Sequence, residues 1–378
     1  MIQQMKADNF KCFEHVDMEF SNLNLFSGVN SMGKSTLIQM FLLLRQSYEQ
    51  NALEKGIYLN GKYTNLGIGK DVLYTDSEEN TIHITVRDEE GFLHAAYAYN
   101  AAADFLRIEN IVRKDWKNIN LFYSGFHYIA ADRLGPQSSY EKSYHEVWDN
   151  NQVGNHGEYA VHYLQAHSLD EVENECVRYD EEENIRLLRQ VECWMGEITP
   201  GVSLRMEEYG HSNRIGLMVH QAGSMGADYY TAQNVGFGIS YVLPVVLALL
   251  KAKKGELLIL ENPEAHLHPR GQRKMGELIA RAAQVYKRLL ELQRAGESMK
   301  GNFDKNVLTK ATPESEATLK QYSQEHTFQL PDGRTQLFSW HTRYTGGYAG
   351  RIFFYAVPRE KNIYIGYIGK KLPTAKYH

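Results

Sequence analysis

The residues with the clearest capacity for chemistry lie in the segment from Gly28 to Thr36, here called the P-loop, which fits the pattern G-x-x-x-x-G-K-[ST] in full. Its glycines let backbone N–H groups turn inward around a phosphate. The Lys34 ammonium can then reach the β- and γ-phosphate oxygens, and the Ser35 hydroxyl can ligate Mg²⁺. The segment therefore predicts a site for ATP and Mg²⁺. Its candidate residues are Gly28, Asn30, Gly33, Lys34, Ser35 and Thr36.

A carboxylate that could complete this site follows an apolar run near residue 260. The run Glu256-Leu-Leu-Ile-Leu leads into Glu261, which is the Walker B pattern of a buried strand ending in an acid. On a strand beside the P-loop, this carboxylate would face the Mg²⁺ ion. Many buried strands end in an acid, so the pattern gains specificity from the P-loop and from the Asn-Pro-Glu-Ala-His-Leu-His-Pro that follows. Ser35 and Glu261 are the expected metal ligands.

A second glycine-rich segment opens an apolar helix. Gly236, Gly238 and Ser240 stand at its start and form a second cradle for an anion. Because a chain needs only one such cradle for its own ATP, we expect this one to serve the ATP of a second subunit. That arrangement predicts a homodimer or a higher homo-oligomer with shared ATP sites. The alternative is an ordinary helix cap by Ser240.

The elements that must position these residues follow from apolar periodicity. Together they predict an α/β fold. We expect paired strands within 1–20, a short buried strand at Asn22–Phe26, a helix at Ser35–Gln46, an antiparallel lobe at 56–111, an acidic helix at Leu169–Met195, a hairpin at 203–220, a helix at Ser240–Lys251, a strand at Glu256–Leu260, a helix at Pro269–Leu290, a polar linker or marginal helix at 296–326, and strands from Thr327 onward.

Composition limits the class of protein. The chain has 378 residues, of which 43% are hydrophobic and 23% are charged, as in ordinary globular proteins. No apolar run reaches the ~18 residues of a membrane-spanning helix, and the N-terminal residues lack the pattern of a secretion signal. Three scattered cysteines fit neither a disulfide framework nor a zinc site. The expected location is the cytoplasm, with no membrane partner.

Charge divides the chain into two parts. Residues 284–378 carry 15 Lys and Arg against 8 Asp and Glu, a net charge of +7. Residues 1–283 carry 26 basic and 38 acidic side chains, a net charge of −12. A basic tail suggests a polyanionic partner such as RNA or DNA, although surface charge can also simply vary between domains.

Four segments together resemble bacterial ATPases of the RecF/SMC/OLD-like group. They are FKCFEHVDMEFSNLNLFSGVNSMGKSTLIQMFLLLRQS, YIAADRLGPQSSY, NVGFGISYVLPVV and LLILENPEAHLHPRGQ, in the same order as in that group. Within it the chain looks like the compact ATPases with an ENPEAHLHP-type Walker B segment, several of which serve in antiviral defence operons such as Septu. The resemblance covers residues 1–283. It implies an ABC/SMC-like P-loop ATPase head, with its antiparallel lobe and a helical insertion within about 56–230.

The resemblance also implies a head-to-tail dimer in which ATP lies between the P-loop of one copy and Gly238–Ser240 of the other. Two departures bear on hydrolysis. The position after Glu261, where ABC proteins usually place the catalytic glutamate, is Asn262, and an amide cannot act as a general base. The strand ending in Thr-His-Ser that usually follows is also absent from the sequence. Glu264, or one of the histidines His266 and His268, could substitute, or hydrolysis could be slow.

The C-terminal region, 284–378, is expected to form a small basic α+β domain. Its strand pattern resembles the strand-rich half of RelE-type ribonuclease toxins, and 284–326 could supply their helical hairpin; a different basic β-rich module is the alternative. The candidate nuclease residues are His341, Arg343, Arg351 and Lys371. The aromatic residues that could stack on bases, if they face outward, are Trp340, Tyr344, Phe354 and Tyr367.

In the nuclease hypothesis, His341 carries a proton, and Arg343 and Arg351 stabilise the phosphorane charge. Strand alternation places His341 and Arg343 on one face and Arg351 on the neighbouring strand. The alternative is a structural module that only contacts an acidic surface.

Two functions remain open at this point. The first is an ATP-gated switch that controls an effector, either this C-terminal region or a separately encoded nuclease, in antiphage defence. The second is a RecF-like DNA repair or maintenance factor without toxic activity. In the first, Glu261, Glu264 and His268 are the candidate catalytic residues of ATP hydrolysis.

Overall fold

A computed structural model describes residues 1–28, 32–89, 91–199, 201–221, 228–304, 306, 308, 311–344, 350–369 and 372–375. Two of the candidate site residues, Asn30 and Lys371, lie outside the described residues. The chain forms two compact units. The first comprises Met1–Glu19 and Phe26–Ala282, and the second comprises Phe20–Leu25 and Ala283–His378.

The first unit begins with an antiparallel sheet whose strands lie in the order β2-β1-β4-β5-β6-β3. Apolar and polar residues alternate along these strands, so one face packs inward; Ile82, Ile84 and Val86 of β4 are almost fully buried. The strands are β1 (Gln4–Phe10), β2 (Phe13–Glu19), β3 (Gly56–Tyr58), β4 (Thr81–Arg87), β5 (Phe92–Ala98) and β6 (Phe105–Lys114). The predicted strand pair and antiparallel lobe are thus present.

The rest of the first unit is mixed α/β. Strands β7 and β12 form a parallel pair, and β10 lies between β9, β8 and β11 in an antiparallel arrangement. Helix α4 is apolar all round and lies in the core, packed against α3 and α5. The elements are α1 (Lys34–Glu49), β7 (Phe126–Ile129), β8 (Tyr140–Glu141), α2 (Ala160–Ala166), α3 (Leu187–Ile198), β9 (Val202–Glu208), β10 (Arg214–Gln221), β11 (Tyr230–Thr231), α4 (Phe237–Lys251), β12 (Leu257–Leu260) and α5 (Pro269–Ala282).

The predicted strand at Asn22–Phe26 is wrong, since no strand forms there and Leu25 is 87% exposed. The cause is a local turn. The Asn24 side chain accepts a hydrogen bond from the Ser21 N–H at 3.0 Å and donates one to the Ser21 carbonyl at 2.8 Å. Such side-chain bonds compete with a strand ladder. Within the described residues the strand paired with β12 is β7, whereas we expected the strand that precedes the P-loop.

Two predicted helices are shorter than expected. The acidic segment predicted as a helix over Leu169–Met195 has a 3₁₀ turn at Glu175–Val177 and is α-helical only from Leu187, because the Gln190 side chain binds the backbone of the preceding loop at Tyr179 and Asn184. The helix predicted over Pro269–Leu290 breaks after α5, where Gln284 adopts a left-handed backbone with φ of 59°.

The second unit is built on an antiparallel sheet in the order β13-β16-β17-β18, with β14 and β15 as a separate pair. Helix α6 packs its Leu292 and Ala295 against Ile352 and Phe354 of one sheet face. The elements are α6 (Tyr286–Glu297), β13 (Ala311–Pro313), α7 (Glu316–Gln321), β14 (Thr327–Gln329), β15 (Thr335–Leu337), β16 (Trp340–Arg343), β17 (Arg351–Val357) and β18 (Asn362–Gly369). The C-terminal strands expected from Thr327 onward are present.

Candidate nucleotide-binding site

The second glycine of the P-loop sets the start of α1. Gly33 has a left-handed backbone with φ of 87°, and a Cβ atom there would lie 2.9 Å from Cys12 Sγ and from the Phe13 ring. Only glycine fits this position without strain. The helix that follows is 16 residues long and directs its free N–H groups and positive dipole end toward the loop.

Two side chains of the P-loop, those of Lys34 and Ser35, are candidates for contact with a phosphate or a metal ion. The Lys34 Nζ donates a hydrogen bond to the Gly28 carbonyl at 2.7 Å, which holds the ammonium across the loop. Ser35 is exposed, whereas Thr36 is buried with its hydroxyl 3.6 Å from Cys12 Sγ. The geometry leaves Lys34 and Ser35 as the groups that could reach a phosphate and a metal ion, with Thr36 anchoring the helix to the β1–β2 turn.

The Walker B carboxylate stands where β12 ends. The Glu261 N–H donates to the Ile129 carbonyl at 2.9 Å, so the parallel pair with β7 extends as far as the acid. The Tyr128 hydroxyl donates to Glu261 Oε1 at 2.7 Å. Burial, and then the bond to Glu261, raise the pKa of Tyr128. The tyrosine therefore stays a neutral donor, which orients the carboxylate while leaving its negative charge available to a cation.

The backbone after Glu261 turns sharply. Asn262 and His266 are exposed and have left-handed φ values of 43° and 62°. Glu264 and His268 are exposed as well, at the turn and at the start of α5. The candidates for the general base, Glu264, His266 and His268, are thus all accessible to solvent.

A buried arginine ties this turn together. Arg133 is 3% exposed and donates to the carbonyls of Ala130, Glu261 and Asn262 at 2.8, 2.8 and 2.7 Å. Its guanidinium also lies 5.9 Å from the centre of the Tyr241 ring. Burial lowers the pKa of Arg133, and the nearby Tyr241 and carboxylates partly oppose that shift.

The second glycine-rich segment lies next to the Walker B turn of the same chain. Gly236 caps α4 and is exposed, and a Cβ on Gly238 would lie 3.5 Å from the His266 carbonyl. The Ser240 hydroxyl, in contrast, is buried and 3.1 Å from the Tyr140 hydroxyl. Because α4 begins at Phe237, Ser240 does not cap the helix either. Ser240 would have to leave Tyr140 to contact a nucleotide.

The donor set fits Mg²⁺ better than a protein-only metal site. Among the described residues no group of three or more His, Cys, Asp or Glu side chains is arranged to hold a metal. Mg²⁺ commonly takes one or two protein ligands and fills its remaining positions with phosphate oxygens and water. An exposed Ser35 hydroxyl and the oriented Glu261 carboxylate suit that role in the presence of ATP.

The nuclease candidates of the second unit lie on neighbouring strands. Arg343 of β16 pairs with Arg351 of β17, and His341 pairs with Phe353. His341 Nδ1 is 2.8 Å from Glu314 Oε1, and both side chains are at least nine-tenths buried. Burial, and then the proximity of Arg343, lower the pKa of Arg351, while Glu314 opposes the shift. The cluster is therefore largely internal, and Arg343 is its exposed member.

The aromatic residues expected to stack on bases are mostly committed to the fold. Phe354 is fully buried, so its expected role as a stacking surface is wrong. Trp340 packs edge-on against Phe303 at 5.0 Å between ring centres, and Tyr367 stacks on Phe328 at 6.3 Å. These rings therefore pack within the fold, where burying large apolar surface stabilises a small sheet.

Four residues of these sites were missed at the level of sequence. Tyr128 and Arg133 lie in the segment YIAADRLGPQSSY, whose polar residues after an apolar strand were an available signal. Tyr241 and Glu314 carried no local signal, because their roles depend on contacts with distant segments: Tyr241 with His266, and Glu314 with His341.

Comparison with known proteins agrees with the geometry of the P-loop. Residues 1–195, more than half of the chain, match the family model described as an AAA ATPase domain. The matched region contains the P-loop, Tyr128 and Arg133, and it ends before the Walker B segment. No curated protein matches the chain. Within the described residues, no helix combines the length and the apolar character needed to cross a membrane.

Proposed function

The chain belongs to the AAA ATPase domain family, a P-loop ATPase family related to the RecF/SMC/OLD-like group, and we propose on that premise that it is an ATP-gated switch acting on nucleic acid. ATP binding and ATPase activity come with the family, as does the use of Mg²⁺. The proposal adds that ATP joins two copies of the chain and that the joined state controls an effector.

One observation carries the proposal: the start of α4 at Gly236 and Gly238 lies beside the Walker B turn, with Gly236 exposed and no side chain capping the helix. Free N–H groups at the N-terminus of α4 favour an anion. The adjacent turn after Glu261 would place the metal-binding carboxylate and this helix start close to one interface. A second copy docked head to tail would then present the phosphates of the ATP bound at its own P-loop to Gly236 and Gly238.

The effector we propose is the basic C-terminal unit. A net charge of +7 over 284–378 favours a polyanion through counterion release. The exposed Arg343 offers a phosphate contact at the end of β16, next to His341 and Arg351. The RelE-like interpretation of this unit makes it a ribonuclease, with Lys371 as a further basic residue. A separately encoded nuclease is the other effector compatible with the switch.

The biological setting we propose is antiphage defence in the cytoplasm. This setting rests on the resemblance of the ENPEAHLHP segment to defence ATPases such as those of Septu. Three free cysteines suit a reducing compartment. The alternative is a RecF-like DNA-maintenance ATPase, in which the basic unit binds DNA and is harmless to the cell.

The decisive experiment separates ATP binding from ATP-dependent assembly. Gly238→Asp puts a carboxylate at the proposed phosphate contact of the partner, so ATP binding should persist while dimerisation with ATP is lost. Gly276→Asp is the control, because Gly276 is an exposed helical glycine with open space around its Cβ position and lies on α5. Light scattering with and without ATP gives the mass. Equal dimerisation of Gly238→Asp and wild type contradicts the shared site.

Lys34→Ala should abolish ATP binding, because the ammonium is the main fixed counterion of the γ-phosphate. Lys11→Ala is its control, since the Lys11 ammonium binds Gln39 of α1 at 2.9 Å. If Lys34→Ala keeps the nucleotide affinity of wild type, the P-loop assignment fails.

RNA binding by the full chain tests the effector. Binding should weaken steeply with salt, and it should weaken more in Arg343→Ala than in Arg359→Ala, which removes an exposed arginine beyond β17 and changes the net charge equally. Expression in cells distinguishes the alternatives. Growth arrest with fragmented RNA that His341→Ala relieves supports the ribonuclease, and harmless DNA binding supports the maintenance factor.

A further inference from the structure

The buried Arg133 makes contacts that an arginine in a plain structural role does not need. Its two terminal nitrogens donate to the successive carbonyls of Glu261 and Asn262, at the start of the Walker B turn (261–267). One of the two nitrogens also donates to the Ala130 carbonyl. Its Nε, buried as well, has no hydrogen-bond partner among the described residues. The hydrogen bonds of this buried charged group thus go to neutral carbonyls.

Such a group is costly to bury, and apolar residues of similar volume often stabilise a core as well or better. Its geometry gives what apolar packing cannot. A guanidinium is a planar fork whose two ends can bind two successive carbonyls at fixed angles. A lysine has a single nitrogen and cannot reproduce that fork.

The carbonyls that Arg133 binds define the direction of the Walker B carboxylate. Asn262 has a left-handed backbone, which asparagine adopts more readily than other residues with a Cβ but still at some cost, so contacts that hold this conformation stabilise the turn. The bond from Arg133 to the Asn262 carbonyl is such a contact. The turn therefore begins directly after Glu261, whose side chain is fixed from the other side by the Tyr128 hydroxyl at 2.7 Å.

The same arginine is linked to the start of α4. Its guanidinium lies 5.9 Å from the ring centre of Tyr241, and that ring lies 4.3 Å from the ring centre of His266 in the Walker B turn. Tyr241 thus stands between Arg133 and His266, three residues after Gly238. A movement of this helix start would reach the turn through one aromatic ring.

We propose that Arg133 is a positioning residue for ATP hydrolysis, holding the peptide groups of Glu261 and Asn262 so that the carboxylate meets Mg²⁺, and that Tyr241 couples this turn to the start of α4. This inference rests on the proposed ATP site formed by the P-loop and Glu261. Arg133 acts through the backbone and does not itself contact the nucleotide.

The test compares Arg133→Lys with Arg45→Lys in the full chain. Arg45 is a matched control because it is also buried, donates to the carbonyls of Leu121 and Tyr123 at 2.8 and 2.6 Å, and lies over the Phe126 ring. It stands eleven residues after Lys34 on α1, about 16 Å along the helix. Three measurements are made: hydrogen–deuterium exchange without nucleotide, Mg²⁺-dependent binding of a fluorescent ATP analogue, and steady-state ATP turnover.

In Arg133→Lys we expect exchange to speed up at least about fivefold at the amides of 261–267, with kcat down about tenfold or more. The Mg²⁺ concentration for half-saturation should rise, and the affinity for nucleotide without Mg²⁺ should stay within about twofold. Arg45→Lys should leave these exchange rates and the Mg²⁺ dependence unchanged. Unaltered exchange and kcat in a folded Arg133→Lys protein, or equal changes in Arg45→Lys, would overturn the proposal.

Tyr241→Leu decides the matter if Arg133→Lys does not fold. It removes the ring over the guanidinium and keeps the three carbonyl bonds, so kcat should fall about threefold or more while nucleotide affinity holds; an unchanged kcat overturns the coupling. If the wild type binds Mg²⁺ and ATP without turning ATP over, ATP hydrolysis fails as the proposed function. The exchange and Mg²⁺-binding measurements then still decide the role of Arg133.

Discussion

The charges of two buried arginines, Arg133 in the first unit and Arg351 in the second, are compensated in different ways. The Arg133 guanidinium in the first unit donates hydrogen bonds to three neutral carbonyls, and the carboxylate of nearby Glu261 accepts one from the neutral Tyr128 hydroxyl. In the second unit, Glu314 contacts His341 and opposes the burial of Arg351. The carboxylate is open to an external cation in the first unit and engaged internally in the second.

The difference predicts which carboxylate is free to bind a metal ion and which supports the fold. Glu261 accepts its hydrogen bond from a neutral hydroxyl and is only one of several groups whose charge opposes the burial of Arg133, so it can change its partner at lower cost. A carboxylate that offsets a buried cation cannot leave without exposing that charge to a low dielectric. Neutralising each acid in turn tests this distinction.

The largest effect is expected for Glu261→Gln. Metal affinity should fall about 100-fold, since changes to outer-shell groups alone cost about 10–100-fold in metal sites. Stability should change by less than about 1 kcal/mol, because the amide oxygen can still accept the Tyr128 hydroxyl. Mg²⁺ titration of nucleotide binding and urea unfolding measure the two quantities.

Glu264→Gln is the companion variant. It should leave the Mg²⁺ affinity of wild type and slow turnover if Glu264 is the general base, with His268→Ala testing the other candidate. A loss of stability in Glu261→Gln as large as its loss of metal binding would break the comparison between the two units.

For Glu314→Gln we expect a smaller effect, and we expect it on stability instead of on metal binding. Removing the carboxylate leaves His341 and Arg351 without their buried acid, and the chain should lose about 1–3 kcal/mol of stability. RNA affinity should rise slightly with the added net positive charge. Thermal unfolding and salt-dependent RNA binding check both outcomes.

Glu325→Gln is the control for this change, because it removes an exposed acid of the same unit and alters net charge equally. RNA affinity should respond alike in both variants, and only Glu314→Gln should be unstable. If both variants have the stability of wild type, Glu314 is not compensating a buried charge.

A further effect concerns another cation, Lys251, at the end of α4. Its Nζ donates to the Asn151 carbonyl and lies 3.3 Å from His127 Nδ1. Burial lowers the pKa of Lys251 to about 7 from 10.5, and Glu256 opposes the shift. Unlike an arginine, this cation can lose its proton within the range that experiments reach.

The sign of the pH dependence follows from that lowered pKa. Between pH 7 and about 10 the unfolded chain holds the Lys251 proton and the folded chain does not, so the free energy of unfolding rises with pH. The contribution is at most about 1.4 kcal/mol per pH unit. Urea unfolding of wild type and Lys251→Met at pH 7, 8 and 9 measures it. The variant should lack this rise, and parallel curves would contradict the lowered pKa.

Much of the fold is predictable because it depends on short-range patterns. Alternation in β4 and the start of helix α1 after Gly33 are set by local properties, and both appear in the structure as expected. The strand expected at Asn22–Phe26 fails because one side chain, Asn24, rearranges the backbone through bonds that apolar periodicity does not register.

The site is only partly predictable, for a different reason. The roles of Arg133 and Tyr128 require β7 and β12 to lie side by side, and these strands are separated by more than a hundred residues of sequence. Ser240 was expected to contact the ATP of a second subunit because it stands with two glycines at a helix start, but its hydroxyl partner Tyr140 is a hundred residues away. Local pattern identifies the reacting groups, whereas distant contacts decide which way they point.

The assignment of Phe20–Leu25 to the second unit has a consequence for how the chain can be divided. The polypeptide leaves the first unit after Glu19, contributes the Ser21 hydroxyl bond to the Ile368 carbonyl at 2.7 Å, and returns at Phe26 just before the P-loop. A chain truncated after Ala282 would therefore carry a short segment stripped of its partners, directly upstream of Gly28. A protease cut at the same point would separate the covalent chain without separating that segment from β18. Inheritance of the two units as independent, exchangeable modules is thus disfavoured, since any exchange must move two pieces of sequence at once.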